Sequence, residues 1–163
     1  AHRITSDQVR WIDADLGAAA ARGLVHAFLY FHGPIYCVDG HCSCPGRVCP
    51  IRPHVRELIS ILNHHPIVSA TFHGHEHTHA YTYVDETRIP PNASFAGVTH
   101  PFHQFVAGSA GVRTKVCNPH RCDFNMAKSG FAAVEVNGPR VAVTFYQLGS
   151  MDPVHTIRFA KER

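Results

Sequence analysis

Apolar positions along this chain change period several times, and each change predicts a different element. In ITSDQVRWIDADLGAAAARG, Val9, Ile12 and Leu16 recur at helical spacing; Thr5 and Gln8 occupy capping-box positions, and Gly23 is placed to end the helix. LVHAFLYFHGPIY then runs apolar without alternation, which predicts a strand buried on both faces and broken at His32-Gly33-Pro34. The helical period returns in RPHVRELISILNHH, where Val55, Leu58, Ile59 and Leu62 form one stripe with Pro53 near its start. PIVSATFHGH predicts a second short strand ending in Gly74. From residue 80 onward AYTYVD, HQFVAG, SGFAAVEV, RVAVTFYQ and HTIRFA all read as strands, and an Asn-Gly step in EVNGPRV signals a hairpin. ETRIPPNAS reads as a loop. Helix, strand, helix, strand and then a run of strands describe half of an α/β sandwich, with helices outside and sheet inside. No repeat or internal boundary divides the chain.

Composition narrows the function classes. At 163 residues and 45% apolar content the chain can bury one core. Its net charge is only +3, with Lys and Arg scattered rather than gathered in a basic, aromatic-interleaved stripe, so no nucleic-acid surface is expected. No apolar run reaches the length of a membrane span. Six cysteines stand in loops rich in Gly and Pro: Cys37, Cys42, Cys44 and Cys49 in CVDGHCSCPGRVC, Cys117 and Cys122 in CNPHRC. Such usage favours disulfides of open pairing and an extracellular or periplasmic location. The rival is a structural zinc in the four-cysteine loop, with or without His41, although the paired C-x-x-C knuckles of such sites are missing. AHRITSDQVRWIDADL has no charged head, apolar middle or cleavage site and no initiator Met, so an upstream segment is expected.

Fifteen histidines are the chemistry that stands out. In TFHGHEHTHAYTY, His73, His75, His77 and His79 alternate with other residues. Side chains at i and i+2 of an extended segment share a face, so His75 and His77 can present two imidazoles to one place with Glu76 turned away. Gly74 argues for a bend that keeps His73 and His79 from joining them. His32 ends the first predicted strand, and the carboxyl ends of parallel strands lie together at one edge. His32, His75 and His77 are therefore the candidate metal ligands, the remaining histidines being surface or loop residues by default.

Four stretches in order also resemble a known family. GHEH at 74–77 is similar to the G-H-x-H motif of the calcineurin-like metallophosphoesterases, which include the purple acid phosphatases. TSDQVRWIDADLGAA resembles that family's S-x-Q-x-x-W-L-x-x-x-L helix, with Ile12 at the Leu position. FLYFHGPIY is similar to its strand followed by H-H-P-x-Y, with Gly33 replacing the second His. FVAGSAG, at 105–111, resembles its Gly-rich v-x-G-x-G-G strand end.

The resemblance implies that residues 1–163 form the C-terminal half of a four-layer α/β/β/α metallophosphoesterase sandwich, with a Cys-rich insertion at about 37–49. It implies two divalent or trivalent ions (Fe, Zn or Mn), His32 and His75 binding one and His77 the other. It also implies hydrolysis of phosphate mono- or diesters, chemistry that a two-metal centre serves well. Gly108 and Gly111 would be backbone devices near the site. His79 and Tyr81 stand where the family has an aromatic residue and an Arg, which makes His79 the candidate catalytic acid. The family's G-D-x-x-D/N and G-N-H motifs do not occur here, nor does its D-x-H motif ahead of the matched stretches. They would belong to an N-terminal half of the same domain, and residues 1–163 alone are expected to have little or no activity. Two other readings stay open: a non-catalytic metal-binding or structural module stabilised by disulfides, and a degenerate family member that keeps the fold for partner binding.

Overall fold

Thr5 begins the first helix as its side chain and backbone dictate. In the computed structural model, which describes residues 4–38, 54–93 and 95–161, helix α1 spans Ser6–Ala21. The Thr5 hydroxyl accepts the Gln8 N–H at 3.3 Å, and Gln8 Oε1 accepts the Thr5 N–H at 2.9 Å, so two otherwise orphaned donors are satisfied reciprocally. Gly23, at φ 74, takes the chain out of the helix, its N–H bonded to the Ala20 carbonyl at 2.9 Å. Val9, Leu16 and Ala19 are buried, while Ile12 is half-buried against the same core. Helix α2, Val55–His64, buries the whole predicted stripe of Val55, Leu58, Ile59 and Leu62. Asp13 of α1 accepts from His65 Nε2 just beyond α2 at 2.7 Å, pinning the helices together. Pro53 lies outside the described residues.

Eight strands are present among the described residues. They are β1 (Ala27–Tyr30), β2 (Val68–His73), β3 (His79–Val84), β4 (Phe102–Ala107), β5 (Phe124–Met126), β6 (Gly130–Asn137), β7 (Arg140–Gln147) and β8 (Pro153–Ala160). The first five form one sheet in the order β1-β2-β4-β3-β5, and the last three form an antiparallel sheet, β6-β7-β8. Within the larger sheet β1, β2 and β4 are parallel, whereas β3 runs antiparallel to β4 and β5. The carboxyl ends of β1, β2 and β4 therefore meet at one edge, and β3 starts there, with His79 opposite Ala107.

Two cores follow from strand alternation. Ala80 and Val84 of β3 and Phe102 and Val106 of β4 face the helices, packing with Leu16, Leu58, Ile59 and Leu62. Phe105 of β4 points the other way and packs with Val141, Val143 and Phe145 of β7 and Ile157 of β8. The result is α/β in three layers: helices, five-stranded sheet and three-stranded sheet. The second outer helical layer of the expected four is not among the described residues.

One expectation needs correction. β1 is a half-buried edge strand rather than one buried on both faces: among the described residues it pairs only with β2, and Tyr30 is 68% exposed. The last two residues of that apolar run begin a buried loop, Ile35 to Val38, whose Tyr36 backbone is held by the Gln104 amide at 2.9 and 2.7 Å. The hairpin signalled by the Asn-Gly step is present, its turn falling on Gly138 and Pro139 between paired Asn137 and Arg140, with Gly138 (φ 56) in the left-handed position. Strand β5 is too short to announce itself by alternation.

Cys117 and Cys122 are joined by a disulfide, and Cys37 is also disulfide-bonded. No described cysteine is a free thiol. The zinc alternative would have needed Cys37; its other members, Cys42, Cys44, Cys49 and His41, lie outside the described residues, as does most of the expected insertion. No helix among the described residues is long and apolar enough to cross a membrane.

Candidate metal centre

At the edge where the parallel strands end, the chain from Gly74 to Thr78 does not stay extended. The Gly74 carbonyl accepts the Glu76 N–H at 2.8 Å, and the Glu76 carbonyl accepts the Thr78 N–H at 2.8 Å. Two successive i to i+2 hydrogen bonds make consecutive γ-turns centred on His75 and His77. His75 has φ 64, the left-handed region that a residue with a Cβ adopts at a cost of about 1–3 kcal/mol. The bend anticipated at Gly74 thus falls on His75.

Surrounding bonds over-determine this conformation. The Gly74 N–H donates to the His32 carbonyl at 3.1 Å, Lys115 N–H to the His77 carbonyl at 2.8 Å, and Gly108 N–H to the Thr78 carbonyl at 3.1 Å. Gly108 is the residue that sterics require here, since a Cβ on it would lie 2.0 Å from the Glu76 carbonyl oxygen. Glu76 itself points away from the histidines, as expected, and its carboxylate is fully buried.

The turns deliver His75 and His77 to a concavity of about 300 Å³ that is also lined by His32, Gly74, Ala107, Gly108, Ala110 and Val112. His32 Nε2 and His75 Nδ1 are 3.2 Å apart, with ring planes at 77°. Two imidazole nitrogens bound cis to one ion at roughly 2.1 Å would be separated by about 3.0–3.4 Å, so this pair fits two adjacent positions on a single metal. His77 lines the same concavity. Among the described residues, however, no group of three or more His, Cys, Asp or Glu side chains is arranged to hold an ion. The donors present fit part of a coordination shell and do not close it.

The other two histidines of the motif go elsewhere. His73, at the end of β2, is buried, with Nδ1 on the Phe31 carbonyl at 3.0 Å and Nε2 on the Thr71 hydroxyl at 2.8 Å. His79 is fully buried at the start of β3, its ring against Phe145 and its Nε2 hydrogen-bonded to the Ser109 hydroxyl. Burial lowers its pKa, a trend only partly opposed by the backbone of Gly130. His79 does not line the concavity: alternation along β3 turns its ring into the core between the sheets. Tyr81, on the same face, is half-buried. Burial and, behind it, the charge of Asp123 push its phenol up to about 12, and its hydroxyl meets His103 Nδ1 at 3.0 Å. Sequence reasoning missed the small wall residues Ala107 and Ala110, whose only signal was their place beside the Gly-rich strand end.

No family model matches the chain, and no curated protein does. Solved structures do. Purple acid phosphatase PPD1 from yellow lupin seeds aligns over 97% of this chain and 29% of its own, with 12% identity and a TM-score of 0.71. GAP50, the anchor in the inner membrane complex of Plasmodium, aligns over 96% and 43%, at 14% identity and a TM-score of 0.62. A dimetal phosphatase from Danio rerio aligns over 96% and 38%, at 16% identity and a TM-score of 0.57. The chain therefore has part of a calcineurin-like metallophosphoesterase fold and spans well under half the length of these structures.

Proposed function

We propose that this chain carries the C-terminal metal ligands of a metal-dependent phosphoesterase, with His32 and His75 on one ion and His77 on a second. The observation that carries this reading is the 3.2 Å approach of His32 Nε2 to His75 Nδ1 at the shared carboxyl edge of β1 and β2. The likeness to a purple acid phosphatase and a dimetal phosphatase supports it. When bound, such ions polarise phosphoryl oxygens and acidify a water for attack at neutral pH; Fe, Zn and Mn all suit imidazole. The chain's own contribution is orientation. The γ-turns fix the rings of His75 and His77, the His32 carbonyl ties the first ligand's backbone to the second's, and the small residues of β4 and its loop leave room for an ester. The buried His79 holds the Ser109 segment in place rather than exchanging protons with substrate.

On this reading the remaining ligands, a bridging carboxylate among them, come from an N-terminal half of the same domain, and substrates are phosphate mono- or diesters. The disulfides support an extracellular or periplasmic setting. The test uses the full-length protein, metal-loaded and metal-stripped, with p-nitrophenyl phosphate and bis(p-nitrophenyl) phosphate. Metal-dependent hydrolysis that drops at least about 100-fold in His75→Ala is expected. Equal rates in stripped and loaded protein, or in wild type and His75→Ala, would overturn the assignment. Residues 1–163 alone should turn over neither ester.

The likeness to GAP50, itself an anchor, favours one second reading: a scaffold that keeps the fold without the chemistry. Metal content separates the two, because a scaffold retains no stoichiometric ions after gel filtration.

A further inference from the structure

Resting on that reading, we infer that Glu76 is a positioning residue that fixes the two flanking ligands through the buried loop Ile35 to Val38. Glu76 is 0% exposed, and a polar group is tolerated at such a place only when it is hydrogen-bonded. Both oxygens accept the Val38 N–H, at 3.0 and 2.9 Å. Val38 is itself held: its carbonyl accepts the Asn118 N–H at 3.2 Å, beside the Cys117–Cys122 disulfide, and its neighbour Cys37 is disulfide-bonded. Gln104 clamps Tyr36 in the same loop at 2.9 and 2.7 Å. The loop is thus anchored at three successive residues, and Glu76 ties the ligand turn to that anchor.

The backbone of Glu76 belongs to both γ-turns, its N–H closing the first and its carbonyl the second. Any rotation of this residue therefore moves His75 and His77 together. A grip on the side chain between two ligands resists the relaxation of His75 out of φ 64, which an isolated peptide would undergo at once. Partners that orient metal ligands in this way typically change affinity by about 10–100-fold when removed.

The experiment is Co²⁺ titration of metal-stripped full-length protein, read by visible absorption, on wild type, Glu76→Gln and Glu76→Ala, with thermal unfolding of each metal-free form. The Gln variant keeps an oxygen to accept the Val38 N–H and should bind Co²⁺ within about 3-fold of wild type. The Ala variant should lose at least about 10-fold with altered d–d bands, at a temperature where its unfolding curve shows it folded. Wild-type binding and spectrum in the Ala variant overturn the inference, as does equal loss in both variants, which would assign the effect to charge instead of the hydrogen bond. If Glu76→Ala fails to fold, the Gln variant decides alone: loss beyond about 10-fold overturns the inference, and near-wild-type binding upholds it. Failure of wild type itself to bind Co²⁺ is a different result, and it removes the underlying metal-centre reading.

Discussion

Gly108→Ala puts the geometry of the site under the most direct mechanical load. An added Cβ would stand 2.0 Å from the Glu76 carbonyl oxygen, 3.0 Å from its carbonyl carbon and 3.2 Å from the Gly74 carbonyl carbon, all backbone atoms that no rotamer change can move aside. Restoring a tolerable contact of about 3 Å or more requires the strand end and the ligand turn to separate by about 1 Å, which lengthens the Gly108 to Thr78 hydrogen bond of 3.1 Å toward breaking. Overpacking of this kind typically destabilises by about 1–3 kcal/mol, and a lost backbone hydrogen bond adds about 1, so roughly 3 kcal/mol is expected. Function should suffer more than stability, since metal–ligand distances tolerate only about 0.2 Å. Gly111→Ala is the control: φ is 73 but nothing lies within 4 Å of its Cβ, so only backbone strain of about 1 kcal/mol applies. Urea unfolding of both variants and Co²⁺ titration of the full-length protein make the comparison. Gly108→Ala that is no less stable than Gly111→Ala and retains metal affinity would refute the claimed close approach.

Acid should weaken the protein through His103. Burial, with a smaller push from Lys161, holds its folded pKa to about 4 against an ordinary 6.5. Between those values the unfolded chain binds more protons, so stability falls with falling pH, by about 2 kcal/mol from roughly pH 7.5 to pH 5; urea midpoints read it, and His103→Phe should flatten the profile. Lys161 acts in the alkaline window, its folded pKa lowered by burial to about 8, so stability should rise above pH 8 up to its ordinary 10.5. Leu58→Ala, at a fully buried site, should cost about 3 kcal/mol in the same assay, while Leu148→Ala, 72% exposed, should change stability by less than about 0.5. Thr5→Ala removes one half of the capping box and should cost about 1 kcal/mol, with Thr5→Ser close to wild type.

Local signals carried the helices and most strands. The Thr5–Gln8 capping box and the stripe on α2 needed no tertiary information to be recognised, because each pattern is written within a few turns of its own chain. What failed was decided by neighbours. The burial of β1 depends on which strands flank it, and an apolar run cannot distinguish a central strand from an edge strand followed by a buried loop. His75 and His77 do reach one place, yet by consecutive γ-turns, the first strained at His75, rather than by strand alternation; positive φ on a histidine leaves no mark in sequence when a glycine stands next to it. Gly108 was marked by its motif as a backbone device, but what it makes room for, the Glu76 carbonyl, emerges only when the ligand turn packs against the end of β4. His79 was legible as part of a motif and illegible as a core residue, because the three-stranded sheet that covers it lies some sixty residues downstream.

Anomalous X-ray diffraction at a metal absorption edge, on crystals of the full-length protein, tests the metal centre most directly. The expected result is a peak about 2.0–2.2 Å from both His32 Nε2 and His75 Nδ1, with a second near His77. Ions bound elsewhere, or a crystal grown in excess metal with no peak between those two nitrogens, would contradict it.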